Sequence, residues 1–372
     1  MSEWKTVRLG DVFDLQMGKT PERKNLDFFS TTDNKWISIA DISKADKYIF
    51  ETKEFISDEA VKKSGIKQIP ANTVIMSFKL SIGKTAITKG PMYSNEAIMA
   101  FLPNGKYEVD NDFLYHLFSN KDWSEGSNKA VKGITLNKAS LLEVKILLPP
   151  LTIQKQIAKT MDKCTEIISK NKRMLENYDT LIKSRFIEMF GDPVLNEKKW
   201  DLMTLPELGE FGRGVSKHRP RNAPELLGGK YPLIQTGDVA SANLYITKYD
   251  STYSEVGFKQ SKMWKAGTLC ITIAATIAKT AILTFDSCFP DSVVGFTPNG
   301  KTNSLFINYW FSFFQKILED QAPAVAQKNI NLQVLSELQI ITPPKQLQDA
   351  FATFVQQIDK SKFEYTYTGV AA

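Results

Sequence analysis

Cysteine and histidine are scarce in this chain of 372 residues, which holds three of the first and two of the second. Cys164, Cys270 and Cys288 are scattered, odd in number and without metal-ligand spacing. They read as buried thiols of a cytoplasmic protein. His116 and His218 are too few to support a histidine metal centre or a catalytic triad, and His116, set among apolar residues, reads as a packed core histidine. No apolar segment follows Met1-Ser2-Glu3-Trp4-Lys5, so no secretory signal is expected. No apolar run approaches a membrane span; the best, Leu269 to Leu283, is broken by threonines and Lys279. No membrane partner is therefore expected.

A phosphate cradle is missing as well. Ser81-Ile82-Gly83-Lys84-Thr85-Ala86-Ile87 ends like a P-loop, but the first glycine of that pattern would stand at position 78, which is Phe78. Phenylalanine does not take the positive-φ turns that wrap backbone N–H groups around a phosphate. An acidic triplet, Asp58-Glu59-Ala60, precedes the Gly-Lys-Thr and so stands in the wrong order for a helicase box. The stretch instead occurs twice: Thr276-Ile277-Ala278-Lys279-Thr280-Ala281-Ile282 repeats its Lys-Thr-Ala-Ile.

Lys84 and Lys279 are 195 residues apart, and other phrases keep nearly that offset. The opening Trp4 to Val12 matches Trp200 to Leu208, and Ile39-Ala40-Asp41-Ile42 matches Thr236-Gly237-Asp238-Val239. Phe101 to Lys106, with its Pro-Asn-Gly turn, matches Phe296 to Lys301. Leu136-Asn137 matches Ile330-Asn331, and Glu143 to Pro150 matches Glu337 to Pro344. A domain-sized period means a duplicated domain and not a solenoid. Each copy predicts strands at Thr73–Ser77 and Thr268–Thr272, and then an aromatic helix around Phe113–Phe118 or Tyr309–Phe314. Asn137 and Asn331 are expected to cap or turn the chain.

Each copy ends in Pro-Pro and a helix. The first runs from about Leu151 to Phe190, with apolar residues at Ile153, Ile157, Met161, Cys164, Ile168, Leu175, Tyr178, Ile182 and Met189. Steps of three and four mark a coiled-coil seam, on which Asn171 is placed to fix register. At ~1.5 Å per residue the rod is roughly 57 Å long and needs a partner helix. The second helix supplies one through Leu347, Phe351, Phe354, Ile358 and Phe363, and its pattern is expected to fail at Tyr365. It would be about half as long as the first, which leaves an apolar stripe for another protein at Ile157, Met161, Ile168, Leu175, Tyr178, Ile182 and Met189.

Two diverged domains, each closed by Pro-Pro and a long helix, resemble the specificity subunit of type I restriction–modification systems. The likeness covers essentially the whole chain. It rests on Trp4…Leu9-Gly10-Asp11-Val12 with Gly18-Lys19-Thr20-Pro21, on Ile82-Gly83-Lys84-Thr85-Ala86, and on Leu136-Asn137…Leu148-Pro149-Pro150-Leu151…Gln154. The resemblance implies an α+β chain of two tandem target-recognition domains, 1–150 and 192–344. A spacer helix at 151–191 and a second, shortened one with its tail at 345–372 would pair as an antiparallel coiled coil. Each domain would read half of a split site in double-stranded DNA. The helices would act as a ruler and dock adenine methyltransferase subunits, and restriction/translocase subunits would join them. The shorter second helix predicts a weaker second docking site and a complex with one methyltransferase.

The residues suit that role. The net charge is +6, with a pI near 8.9. The copies agree in strands and turns and diverge in loops 18–35 and 212–231, where little beyond Gly18 and Gly214 is shared. Arg213, Lys217, His218, Arg219 and Arg221 make the second loop a candidate DNA contact, with Lys19, Thr20, Arg23 and Lys24 in the first. Lys84 and Lys279, the same in both copies, suit phosphate positioning; Lys79, whose counterpart is Ala274, suits base reading.

Catalytic signatures are missing. Neither Pro-Pro follows an Asn or Asp or precedes an aromatic, as an amino-methyltransferase requires to hold a flipped base. No glycine-rich cofactor loop or metal-nuclease cluster is evident, so no cofactor, no metal and no catalytic residue is expected. Two rival readings are a coiled-coil adaptor that binds proteins only and a nucleotide-dependent enzyme built on Gly83-Lys84-Thr85.

Overall fold

The computed structural model of the chain describes residues 4–79, 81–123, 128–130, 133–274, 278–321 and 331–368. Met1 to Glu3, Thr276-Ile277 of the second Lys-Thr-Ala-Ile stretch, Ile330 and the last four residues of the tail lie outside them. The chain divides into two compact units, 1–168 and 169–372.

Each unit has a smaller sheet, ordered Glu54–Ile56, Asn34–Ile37, Tyr93–Ser94 in the first and Ser251–Tyr253, Leu227–Leu233, Ser287–Cys288, Met263–Trp264 in the second, so the loops expected over 18–35 and 212–231 end in strand; the main layer of each is a five-stranded sheet. In the first its order is Phe13–Met17, Ile98–Pro103, Val74–Ser77, Thr85–Thr88, Tyr48–Ile49. In the second it is Gly209–Arg213, Val293–Pro298, Leu269–Thr272, Thr280–Leu283, Tyr245–Ile246, so the duplication read from the sequence is a duplication of topology. The last strand of each sheet is parallel to its neighbour and the others are antiparallel. The strands expected around residues 74–77 and 269–272 lie at the sheet centre and are buried throughout.

Alternation explains that burial. Successive side chains on a strand point to opposite faces. Val74 and Met76 join a core with Phe101 and the aromatic helix Asn111–Asn120, while Ile75 joins a separate one with Ile37, Ile42 and Ile98. In the second unit Leu269 and Ile271 face the helix Ser304–Gln321, and Cys270 faces the other way.

A short two-stranded ladder closes each unit. Lys5–Arg8 pairs with Lys145–Leu148, and Leu202–Met203 with Ile340–Ile341, which brings the opening Trp phrase beside the strand that leads to Pro-Pro. Local chemistry repeats with the topology. Asn137 caps a helix by accepting from Ser140 N at 2.8 Å, and Asn331 does so from Val334 N at 2.8 Å. In the Pro-Asn-Gly turns, Asn104 Nδ2 donates to Asp11 O at 3.2 Å and Asn299 Nδ2 to Glu207 O at 3.0 Å.

The Gly-Lys-Thr stretch is the turn of a β-hairpin. Gly83 N donates to Ser77 O at 3.0 Å and Ser77 N to Lys84 O at 2.8 Å; Ala278 and Thr272 repeat this at 2.9 Å and 2.9 Å with Lys279. Gly83 has φ +87° and Ala278 φ +54°. A Cβ on Gly83 would lie 2.9 Å from Trp123 Cδ1. Gly83→Ala is therefore expected to destabilise the first unit by about 1–3 kcal/mol, from backbone strain with the indole in the way. Urea unfolding of the full chain checks this, and a loss under 0.5 kcal/mol would remove the strain argument.

The first long helix is Leu151–Phe190, 40 residues. The second is Lys345–Thr368, 24 residues, and does not stop where its apolar pattern fades after Phe363. Within the second unit the two run antiparallel: Phe351 meets Phe186 and Phe190 at 5.4 and 5.6 Å between ring centroids, and farther along Lys362 Nζ pairs with Asp179. Gly191, at φ +78°, ends the first helix, its N–H donating to Ile187 O at 2.7 Å. Cys270 and Cys288 are buried as expected, but Cys164 is exposed, within a stretch of the long helix, 163–170, whose residues are all exposed.

Candidate nucleic-acid interface

In each unit the first sheet strand runs into a glycine that lies flat against another segment. A Cβ on Gly18 would sit 2.1 Å from Asn95 O and 2.3 Å from Ser94 O; one on Gly214 would sit 2.1 Å from Phe289 O. No side chain fits there, which is why these glycines alone persist between otherwise unlike loops. Arg213 ends the strand just before Gly214; the other basic residues of both loops follow the glycines.

The first loop engages much of its own polarity. Lys19 Nζ donates to Ser64 O, and Thr20 Oγ1 donates to Glu96 Oε2. Arg23 pairs with Glu54 at 2.6 Å and lies 4.3 and 4.6 Å from the rings of Phe29 and Trp36. That cage makes Arg23 a loop-shaping residue in this conformation as well as a candidate contact. Lys24 is exposed, and its side chain has no ion pair or hydrogen bond among the described residues.

In the second loop Gln260 Oε1 accepts from Lys217 N at 2.5 Å and His218 N at 2.9 Å. His218 Nε2 is 3.6 Å from Glu225, and Arg219 Nη1 donates to Ser216 O at 2.6 Å. Asp291 gathers Arg219 Nη2 at 3.4 Å and Arg221 Nη2. The side chains of Arg213 and Lys217 are exposed and, among the described residues, make no ion pair.

The two equivalent lysines differ in exposure. Lys84 is exposed, whereas Lys279 is half-buried and its Nζ lies 3.3 Å from Gln315 Oε1. Lys79 is half-buried over Phe78 at 5.3 Å. Equal backbone position thus does not give equal availability.

The expected helix stripe also divides. Ile157 packs on the core of the first unit; Ile182 is buried in the second, with Met189 against it. Each of the three packs into the core of its own unit and is not open to a partner. Met161 and Tyr178 are half-buried, Leu175 is exposed, and Ile168 is the most open at 69%.

Three groups have roles that the sequence does not single out. Asp162, on the long helix, accepts from Lys47 Nζ at 2.7 Å and lies 2.7 Å from His116 Nε2; Lys47 also pairs with Asp112 at 2.8 Å. Burial alone would lower the Lys47 pKa, but its bonds to Asp112 and Asp162 outweigh that and raise it. His116 is buried, as expected, and holds the helix to the domain. Gln154 and Gln348 are fully buried at matching places in the two helices. Glu96 and Asp291 stand at the repeat offset of Lys84 and Lys279, a signal present in the sequence once the copies are aligned.

No helix of the described residues is long and apolar enough to cross a membrane. A family model described as the type I restriction modification DNA specificity domain matches residues 1–177 and 197–368. The MjaIX type I restriction enzyme specificity subunit of Methanocaldococcus jannaschii is 27% identical over 202 residues, 53% of this chain and 46% of that protein. The chain thus spans about half the length of that relative. The putative MjaX specificity subunit of the same organism is 23% identical over 380 residues, 96% of this chain and 87% of it. The EcoR124I/EcoR124II specificity subunit of Escherichia coli is 27% identical over 168 residues, 43% and 40% of the two chains. In fold, the chain is similar to the crystal structure of a type I restriction–modification S subunit from M. genitalium, with TM-score 0.60, 14% identity and coverage of 100% and 93%. A chain from a structure of type I restriction–modification complex assembly gives TM-score 0.61, 17% identity and coverage of 99% and 94%. With two matches spread over nearly its full length, the chain belongs to the family of the type I restriction modification DNA specificity domain and carries that domain twice.

Proposed function

We propose that the chain is the non-catalytic DNA-recognition subunit of a type I restriction–modification complex. The domains at 1–150 and 192–344 each read one half of an asymmetric bipartite site in double-stranded DNA. The helices Leu151–Phe190 and Lys345–Thr368 set the distance between halves and dock adenine methyltransferase subunits, with restriction/translocase subunits completing the nuclease. Exposed Ile168 and Leu175 are the docking residues best placed for this, since Ile157 and Ile182 are spent on their own domains.

The carrying observation is a repeated scaffold with unrepeated loops. The same five-strand order and the same close-packed glycine present Lys19, Thr20, Arg23 and Lys24 in one unit, and Arg213, Lys217, His218, Arg219 and Arg221 in the other. Identical scaffolds fix where a loop meets DNA; different loops read different bases. Lys84 and, after release from Gln315, Lys279 act on phosphates, and Lys79 on a base edge. The bound methyltransferase flips the target adenine, a step outside this chain.

Co-expression with the cognate methyltransferase, followed by mapping of N6-methyladenine in host DNA, tests this reading. A split motif with two unlike halves and a fixed gap is expected. Methylation at a continuous motif, or at none with the complex assembled, would refute it.

A further inference from the structure

Each copy places one carboxylate at the root of its basic loop. Glu96 and Asp291 are 195 residues apart and sit just before the strands Ile98–Pro103 and Val293–Pro298. The turn that carries each is the segment on which Gly18 or Gly214 lies: a Cβ there would come within 2.1 Å of Asn95 O in one copy and 2.5 Å of Pro290 O in the other. Backbone packing, not the reach of a flexible side chain, therefore sets the carboxylate against its loop.

The loop partners differ. Glu96 accepts from the Thr20 hydroxyl, which holds its carboxyl below the ordinary glutamate range, with the charges of Lys79 and Arg23 adding to the effect. Asp291 takes Arg219 at 3.4 Å and Arg221. A carboxylate on a DNA-facing surface repels phosphate. An arginine tied to it contributes less to the counterion release that drives non-specific binding. The same group accepts hydrogen bonds from a cytosine amino group in the major groove.

We propose that Glu96 and Asp291 are specificity-determining residues, one for each half-site, that hold their loops in reading position and keep loop cations and hydroxyls away from phosphates. The inference rests on the DNA-reading function above and deepens it. It predicts that removing either charge costs discrimination and not folding.

The test uses the full chain assembled with its methyltransferase, in wild-type, Glu96→Gln and Asp291→Asn forms. Asp291→Asn is expected to tighten binding to motif-free DNA about tenfold at low salt and to steepen the log–log salt slope by about one to two, for up to two freed arginine–phosphate contacts. It should relax the methylated motif in one half only. Glu96→Gln should relax the other half and change the salt slope less than Asp291→Asn does, because the direct partner of Glu96, Thr20, is neutral and only the more distant charges of Lys79 and Arg23 feel the loss. Asp291→Glu keeps the charge and should keep the motif. An unchanged split motif in both amide variants overturns the inference alone, as does loss of both halves together in each. A wild-type complex that methylates no split motif overturns the functional reading itself, and this one with it.

Discussion

Phe186→Ala is expected to destabilise the second unit by about 3–5 kcal/mol, the range for emptying a large aromatic site in a packed core. Phe186 is fully buried on the first long helix. Its ring lies 4.9 Å from Phe190, 5.5 Å from Phe306 in a stacked pair, 5.1 Å from Phe313 and 5.4 Å from Phe351 edge-on. Those partners come from three helices: its own, the aromatic helix Ser304–Gln321 and the second long helix Lys345–Thr368. The cavity would open where all three meet. Phe186→Leu, which retains most of the volume, should lose roughly 1–2 kcal/mol. Denaturant unfolding followed by tryptophan fluorescence reads both, since Trp200 and Trp310 belong to or pack on this core. If Phe186→Ala lost less than Phe186→Leu, the three-helix junction would not be the source of stability. Methylation by the assembled complex should fall with Phe186→Ala even where the protein is still folded, because the antiparallel helix pair is seated on this junction.

Gln154→Leu and Gln348→Leu should each lower the stability of their unit by about 3 kcal/mol, since a buried polar group left without its partner costs roughly 1–3 kcal/mol and each change strands several. Gln154 Nε2 donates to Glu108 O at 3.0 Å and Pro149 O at 2.8 Å, and Oε1 accepts from Asp110 N at 2.8 Å. Gln348 Nε2 donates to Lys301 O at 3.1 Å and Pro343 O at 2.8 Å, and Oε1 accepts from Thr302 Oγ1 at 2.8 Å. Each amide thus ties the first turn of a long helix to the Pro-Pro corner and to the segment before the aromatic helix. Methionine at the same sites, similar in length and unable to make these bonds, should lose nearly as much. A methionine variant with wild-type stability would show that shape, not hydrogen bonding, fixes the corner. The two Leu changes should act on separate unfolding transitions, because each glutamine bonds only within its own unit.

The caps, the Pro-Asn-Gly turns and the central strand of each copy could be read from the residues because their causes are local, while the other strands of each sheet could not. Asn137 and Asn331 cap through a backbone N–H three positions on, and Asn104 and Asn299 turn the chain within their own Pro-Asn-Gly. Even Gln154 was visible as part of a repeated phrase, though not its three bonds. The helix seam was legible as a period of three and four, but not which of its residues would be used up at home. Ile157 and Ile182 obey the same period as Ile168; only the packing of each into its own unit separates them from it.

The sequence by itself determined the duplication, the two long helices and the central strand and turns of each copy: the duplication shows in the repeated order of phrases, and side-chain periodicity and turn chemistry act over a few residues and survive without knowledge of the fold. Tertiary structure alone decided which charges are available. It joined Lys47 to Asp162 across 115 positions, caged Arg23 between Phe29 and Trp36, set Asp291 on Arg219 and Arg221 across 72 and 70, and left Lys84 open while Lys279 turned inward. Charge attracts whatever the folded backbone brings within a few ångströms, and that neighbour is chosen by sheet order and glycine contacts, not by position along the chain.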